Sequence, residues 1–191
     1  MIGRRDAARV LGWLTTLPYR RPGRRVALGP GLLGNGRLRI SGPGRVELGG
    51  DVNAWSHAEV NRLVTTRKEA VIRIGARTRM NGCTLIAAGR IEVGADCVLG
   101  SCEVRDHDDV SVQGAADGDF APPKPTIIED GAWIGGQVVI APGVRIGRNA
   151  VIGIHAAVFE DVPPDVIAAG NPARVLRRLD ADPDSDRAER G

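Results

Sequence analysis

Trp133 to Val158 reads WIGGQVVIAPGVRIGRNAVIGIHAAV. Ile134, Ile140, Ile146, Ile152 and Val158 recur at every sixth position, and Gly135, Gly147 and Gly153 each follow one of them. On an α-helix a step of six turns the side chain by about 600°, roughly 240° net, which would scatter these residues around the cylinder. On a strand six is an even step, so all five fall on one face. The pattern is that of short strands broken by regular corners, and a hexapeptide period of this kind predicts a parallel β-helix.

Working outward, the period extends back to Ile72. Ile74, Met80 and Ile86 are spaced by six, the phase slips by one at Gly89–Arg90, and Val93 and Leu99 resume it. Residues 105–126, RDHDDVSVQGAADGDFAPPKPT, break the pattern and read as a loop thrown outward, where functional groups concentrate. Residues 26–55 form an irregular first part of the coil, with VAL, RLRI and RVEL as strands between Gly-rich turns. Residues 56–70 are expected to form an imperfect coil with Leu63 and Val64 inward. Residues 163–179 are expected to leave the prism, since Pro163, Pro164 and Pro172 stop strand pairing. The polar tail 180–191 is expected to be disordered.

Before the coil, residues 1–25 form an N-terminal segment in which 4–17 carry a helical pattern ended by Pro18. Ala7, Val10, Leu11, Leu14 and Leu17 share one face. The preferred reading is a cap over the open end of the prism, because solenoid ends need covering. The second reading is a basic amphipathic helix lying on a membrane surface, with Trp13 at the interface. The repeat coil itself is expected over 26–162.

Composition agrees. Gly 26 and Pro 12 against Phe 2, Tyr 1 and Trp 3 suit many corners and an aliphatic core, not a helical bundle. The net charge of +3 is small and its basic excess lies in the first 25 residues, so nucleic acid is not an expected partner. Cys83, Cys97 and Cys102 form no CxxC pair and read as small buried residues in a reducing, cytoplasmic compartment. No apolar run is long enough to span a bilayer, and no signal-peptide pattern is evident at the start.

IRIG at 72–75, IEVG at 91–94, DGAWIGG at 130–136, APGVRIG at 141–147, DVPP at 161–164 and AGNPARVLRR at 169–178 occur in that order. In this the chain resembles the hexapeptide-repeat acyltransferases, the maltose and galactoside O-acetyltransferases and the sugar O-acetyltransferases of polysaccharide assembly. The resemblance implies a left-handed, three-sided parallel β-helix. It also implies a homotrimer with sites between subunits, and acetyl-CoA as the donor to a sugar or glycan hydroxyl. No metal is expected.

Such transfer needs a general base, a donor to the thioester oxyanion and cations for the CoA phosphates. The family's base lies in the loop after IEVG, which points to His107, with Asp106 or Asp108 to orient it. The galactoside-type spacing would place that histidine at Val110, and a D-H-D-H pattern would place a second one at Asp109. Gly136 and Ile154, eighteen residues apart, match backbone contacts to the thioester and pantetheine arm. Arg174 and Arg177 match positions that reach the nucleotide phosphates. Phe159 and Glu160 stand where relatives carry Thr-Lys. Asn81 and Trp133 are the candidates for the acceptor pocket. His155 reads as a mostly structural corner residue, and His57 receives no role.

Two other classes remain open. A non-catalytic scaffold would keep the prism and lack the base, as Val110 allows. A γ-carbonic-anhydrase-like metal protein needs three convergent histidines including a close H-x4-H pair, and His57, His107 and His155 supply no such pair.

Overall fold

The computed structural model describes residues 4–19, 25–108 and 121–180. Three parallel sheets form the three faces of a coil. Face I runs through Val26–Leu28, Arg45–Leu48, Val71–Ile74, Arg90–Val93, Thr126–Ile128 and Arg145–Ile146. Face II runs through Leu33–Gly34, Asn53–Ala54, Arg79–Met80, Val98–Leu99, Trp133–Ile134, Val151–Ile152 and Val166–Gly170. Face III runs through Leu38–Ser41, Asn61–Thr65, Thr84–Ala87, Glu103–Arg105, Val139–Ile140 and Ala157–Val158. The chain visits the faces in the order I, II, III, so the prism has edges I–II, II–III and III–I.

The six-residue ladder behaves as its period requires. Ile134, Ile140, Ile146, Ile152 and Val158 are each no more than 1% exposed and stack up the axis. Trp133 pairs with Val151, and Val139 with Ala157, so one turn here takes eighteen residues. Lower down the phase differs from the sequence reading. Leu85 is fully buried while Ile86 is half-buried, so the slip falls at the Asn81–Cys83 corner, one face before Gly89. Likewise Leu63 points inward and Val64 outward, since neighbours on a strand face opposite sides.

The corners carry a second ladder. At edge I–II, Gly31, Asp51, Arg77, Asp96, Gly131, Asn149 and Asp165 all have positive φ. Each of the last six donates its N–H to a carbonyl of the coil below, as Asp96 does to Ala76 and Asn149 to Asp130. Asp and Asn tolerate this left-handed conformation better than most residues, which explains why they fill so many of these corners. Cys83, Cys97 and Cys102 fill the inside of corners as free thiols at 3% exposure or less. Burial pushes Cys97 up to about 11 and Cys102 up to about 12, and lifts Cys83 well above the ordinary thiol range.

Two segments differ from expectation. The coil does not stop at Pro163: Val166–Gly170 pairs in parallel with Val151–Ile152, adding a further rung. Pro172, after a cis Asn171–Pro172 bond, sits in the turn of a hairpin, and Ala173–Arg178 returns antiparallel along face II.

The helix Arg4–Thr16 does lie on the first coil, but with the opposite face inward. Ala8, Gly12 and Thr16 are buried, whereas Ala7, Val10, Leu11 and Leu14 are exposed. The contact is backbone-close: a Cβ at Gly12 would stand 2.6 Å from the Leu32 carbonyl oxygen and 2.9 Å from the Gly34 nitrogen. Thr16 turns its hydroxyl back to the Gly12 carbonyl at 2.6 Å. A stripe of small residues fits that approach better than leucines would. Among the described residues no helix is long and apolar enough to cross a membrane. The expected disordered tail, from Ala181 onward, lies outside the described residues.

Candidate active site

His107 and Asp106 close the rung that ends with Glu103–Arg105, at edge III–I. The Asp106 carboxylate is fully buried. One oxygen accepts the Ala88 N–H at 2.8 Å and the other the Gly89 N–H at 2.7 Å, so it caps the corner of the coil below. Its first oxygen also meets His107 Nδ1 at 2.7 Å. With Nδ1–H donated to Asp106, the neutral imidazole carries its lone pair on Nε2. The His107 side chain is only 10% exposed, so it is a ring held in place and not a solvated side chain in an acidic loop. Asp108, by contrast, is exposed.

The inserted loop leaves and returns at this same corner. The Lys124 N–H donates to the Asp106 carbonyl at 2.7 Å. The buried Thr126 hydroxyl donates to the Arg105 carbonyl at 2.8 Å and accepts from the Gly143 N–H at 3.0 Å. The stems are therefore fixed to the prism. Asp109 and Val110 lie outside the described residues.

Gly136 and Ile154 lie on a different edge. Strands Trp133–Ile134 and Val151–Ile152 pair in register, so Gly136 and Ile154 stack directly at edge II–III. Ile154 is 68% exposed. Next to it, His155 adopts positive φ and donates its N–H to the Gly136 carbonyl at 2.9 Å. The two glycines of WIGG differ sharply. A Cβ on Gly135 would stand 2.8 Å from the Ile152 oxygen and the Ile154 nitrogen, so the next coil excludes any side chain there. A Cβ on Gly136 would meet nothing closer than the Ser101 hydroxyl at 3.5 Å, and its φ is not in the left-handed region. Close approach of the next coil therefore explains Gly135 and leaves the second glycine unexplained by the fold.

Asn81 belongs to the same edge, two rungs below Gly136, through the pairings of Arg79–Met80, Val98–Leu99 and Trp133–Ile134. Its amide oxygen accepts the His57 N–H at 3.1 Å. His57, which sequence reasoning passed over, thus stands exposed on the edge that holds Asn81, Gly136 and Ile154. Only the strand pairing reveals this, because the irregular residues 56–60 hide the register. Trp133 projects from face II beside the edge, 57% exposed.

At the top, Ala169 stacks above Gly153, and Arg174 lies across the hairpin from Ala169, close to edge II–III. Arg177 lies farther across face II, opposite Ile167. Glu160 stands 3.8 Å from Arg174, both side chains being well exposed. The chain thus gathers Asn81, Gly136, Ile154 and Arg174 along one edge and leaves the His107–Asp106 pair on another. Among the described residues no group of three or more His, Cys, Asp or Glu could hold a metal ion.

Comparison with known proteins adds to this geometry. Residues 125–158 match the family model of the bacterial transferase hexapeptide (six repeats). The galactoside O-acetyltransferase of Escherichia coli (strain K12) is 53% identical over 55 residues, which is 29% of this chain and 27% of that protein. The chain thus spans little more than a quarter of the length of the curated relatives it matches. The polysialic acid O-acetyltransferase OatWY has a similar structure, with a TM-score of 0.65 and 26% identity over 81% of this chain and 74% of that one. A hexapeptide-repeat acetyltransferase of Vibrio cholerae, solved with acetyl coenzyme A, aligns at 25% identity and a TM-score of 0.57 over 92% of this chain and 89% of its own.

Proposed function

We propose that this hexapeptide-repeat chain is an acyl-CoA-dependent O-acyltransferase that moves an acetyl group from acetyl-CoA to a hydroxyl of a sugar or glycan precursor. The observation that carries the reading is Gly136. It falls in WIGG, exposes its backbone at an edge, and has no side chain although its own fold leaves room for one. An extended thioester arm laid along edge II–III needs that bare backbone. Successive rungs are about 4.8 Å apart, a spacing that suits an arm touching Ile154 and then Gly136. Arg174, above the same edge, and Arg177 supply charge to the CoA phosphates.

In the proposed reaction His107 Nε2 takes the proton of the acceptor hydroxyl as its oxygen attacks the thioester carbonyl. The backbone N–H of Gly136 receives the oxyanion of the tetrahedral intermediate. The intermediate collapses to the ester and the CoA thiolate, which recovers the proton from the imidazolium. Asp106 holds the ring in the tautomer whose lone pair is on Nε2.

His107 and Gly136 occupy different edges of one prism, so a base and a donor meet only if edge III–I of one copy faces edge II–III of another. This supports a homo-oligomer with intersubunit sites, and the trimer that the resemblance implies is one arrangement that would supply them. Asn81 lies below the thioester position on the donor edge, and in this reading it and Trp133 contact the sugar. The two galactoside and polysialic acid relatives favour a carbohydrate acceptor.

Release of the CoA thiol from acetyl-CoA across a panel of mono- and oligosaccharides tests the proposal. His107→Ala should abolish transfer and keep donor binding, whereas Gly136→Leu should abolish both. Refolding the two variants together should restore part of the activity, because each supplies the edge the other lacks. Full transfer by His107→Ala would remove it as the base, and the absence of thiol release with every sugar tested would leave a scaffold as the better reading.

A further inference from the structure

The N-terminal helix has an apolar side that the prism does not use. With about 100° per residue, Val10 and Leu14 lie opposite the buried Ala8, Gly12 and Thr16, and Leu11 and Trp13 flank them on either side. Val10 is 55% exposed, Trp13 50% and Leu14 48%, and Leu17 continues the stripe at 42%. Five large apolar side chains exposed at the end of a solenoid, Leu11 among them, are not accounted for by capping, since the small-residue stripe already makes that contact.

Charge selects what covers them. By sequence, residues 1–25 hold seven arginines and one aspartate, a net of +6; the whole chain is +3, which leaves −3 for the remainder. The described cations Arg9 and Arg25 are both exposed, and Arg9 lies at the margin of the apolar stripe, 3.6 Å from Asp51. Joining this face to the same face of a second copy would bring two strongly basic segments together. An anionic lipid surface offers both an apolar layer for the stripe and negative charge for the arginines.

We infer that the outward face of the helix, centred on Val10, Trp13 and Leu14 and rimmed by Arg9, docks on an anionic phospholipid surface. The helix then lies in the plane of the headgroups with its small-residue stripe still on the first coil. The prism is held by one end, and its faces and edges stay clear of the lipid. The inference stands apart from the acyl-transfer reading and survives or fails without it.

Co-sedimentation of the full chain with phosphatidylcholine vesicles, with and without about a third phosphatidylglycerol, tests it. Binding is expected only to the anionic vesicles, to fall with added salt, and to drop by about ten-fold or more in Trp13→Glu and Leu14→Glu. Both substitutions are on exposed positions, and unchanged thermal melting shows that they still fold. Arg9→Glu should weaken binding without disturbing apolar packing. Equal binding to neutral and anionic vesicles would overturn the inference, as would binding to neither. So would a Leu14→Glu variant that changes oligomer size while vesicle binding of the wild type is absent, which would assign the face to a second copy.

Discussion

Removing the Asp106 carboxylate gives the sharpest prediction about the candidate base. This carboxylate is fully buried and makes three contacts: the N–H groups of Ala88 and Gly89 at 2.8 and 2.7 Å, and His107 Nδ1 at 2.7 Å. Asp106→Ala strands two backbone donors at a corner where Ala88 is only 4% exposed. Each stranded donor costs about 1–3 kcal/mol, so a loss of about 3–5 kcal/mol is expected. That is a large share of a typical total of about 5–15 kcal/mol. Asp106→Asn keeps the shape and one acceptor oxygen but turns an NH2 toward a donor N–H, at an expected cost of about 1–3 kcal/mol. His107→Ala keeps both backbone N–H bonds to Asp106 and should cost less than Asp106→Ala. Urea unfolding followed by circular dichroism, extrapolated to water, reads all three. An Asp106→Ala protein within about 1 kcal/mol of wild type would refute the assignment of Asp106 as the group that holds both this corner and the imidazole.

Other consequences follow from burial and close approach. The three thiols should resist iodoacetamide in the native protein near pH 8 and react fully in denaturant. Their folded values are raised from the ordinary 9, to about 11 at Cys97 and about 12 at Cys102, so the stability they confer is complete below pH 9 and falls as pH rises through those values. Alkaline denaturation should therefore soften in Cys97→Ala and Cys102→Ala, as read by the pH dependence of the melting temperature. Gly12→Val should lever the helix off the first coil, given the 2.6 Å approach to the Leu32 oxygen, and expose 4–19 to limited proteolysis while the coil still melts cooperatively. Gly135→Ala should lower stability by about 1–3 kcal/mol through overpacking, whereas Gly136→Ala should stay within about 0.5 kcal/mol of wild type.

The fold was legible because one signal dominates. Between Trp133 and Val158 the apolar step and the glycines point to the same corners, and every predicted inward residue is buried. The signal weakens where corners change length. Met80 to Leu85 is a step of five, and a reading by sixes lands on Ile86, one residue late. Val64 was misplaced for a related reason: an imperfect rung gives no second copy against which to check the phase. The helix and its apolar stripe are legible in the sequence, but the stripe is not the packed face. Close backbone approach reversed that preference, and Ala8, Gly12 and Thr16 carry no apolar period to announce it. Pro172 ended a strand in the sequence reading and turns a hairpin in the structure, because a proline at a turn interrupts no pairing.

The candidate site was legible residue by residue, and its arrangement was not. The eighteen-residue spacing already stacks Gly136 on Ile154. That Asn81 and His57 share their edge depends on strand pairing across rungs of unequal length. Asp106 could be named as a partner of His107 from adjacency alone. Its bonds to Ala88 and Gly89, eighteen and seventeen residues earlier, exist only once the coil closes.

The most direct test of the account is calorimetric titration of acetyl-CoA into the wild-type protein and into the Gly136→Leu variant, with Gly135 intact in both. The account predicts saturable binding below millimolar concentration to the wild type and its loss in Gly136→Leu, while the two proteins melt alike. Absence of binding to the wild type at millimolar donor, or undiminished binding to Gly136→Leu, would contradict the placement of an acyl-CoA along edge II–III.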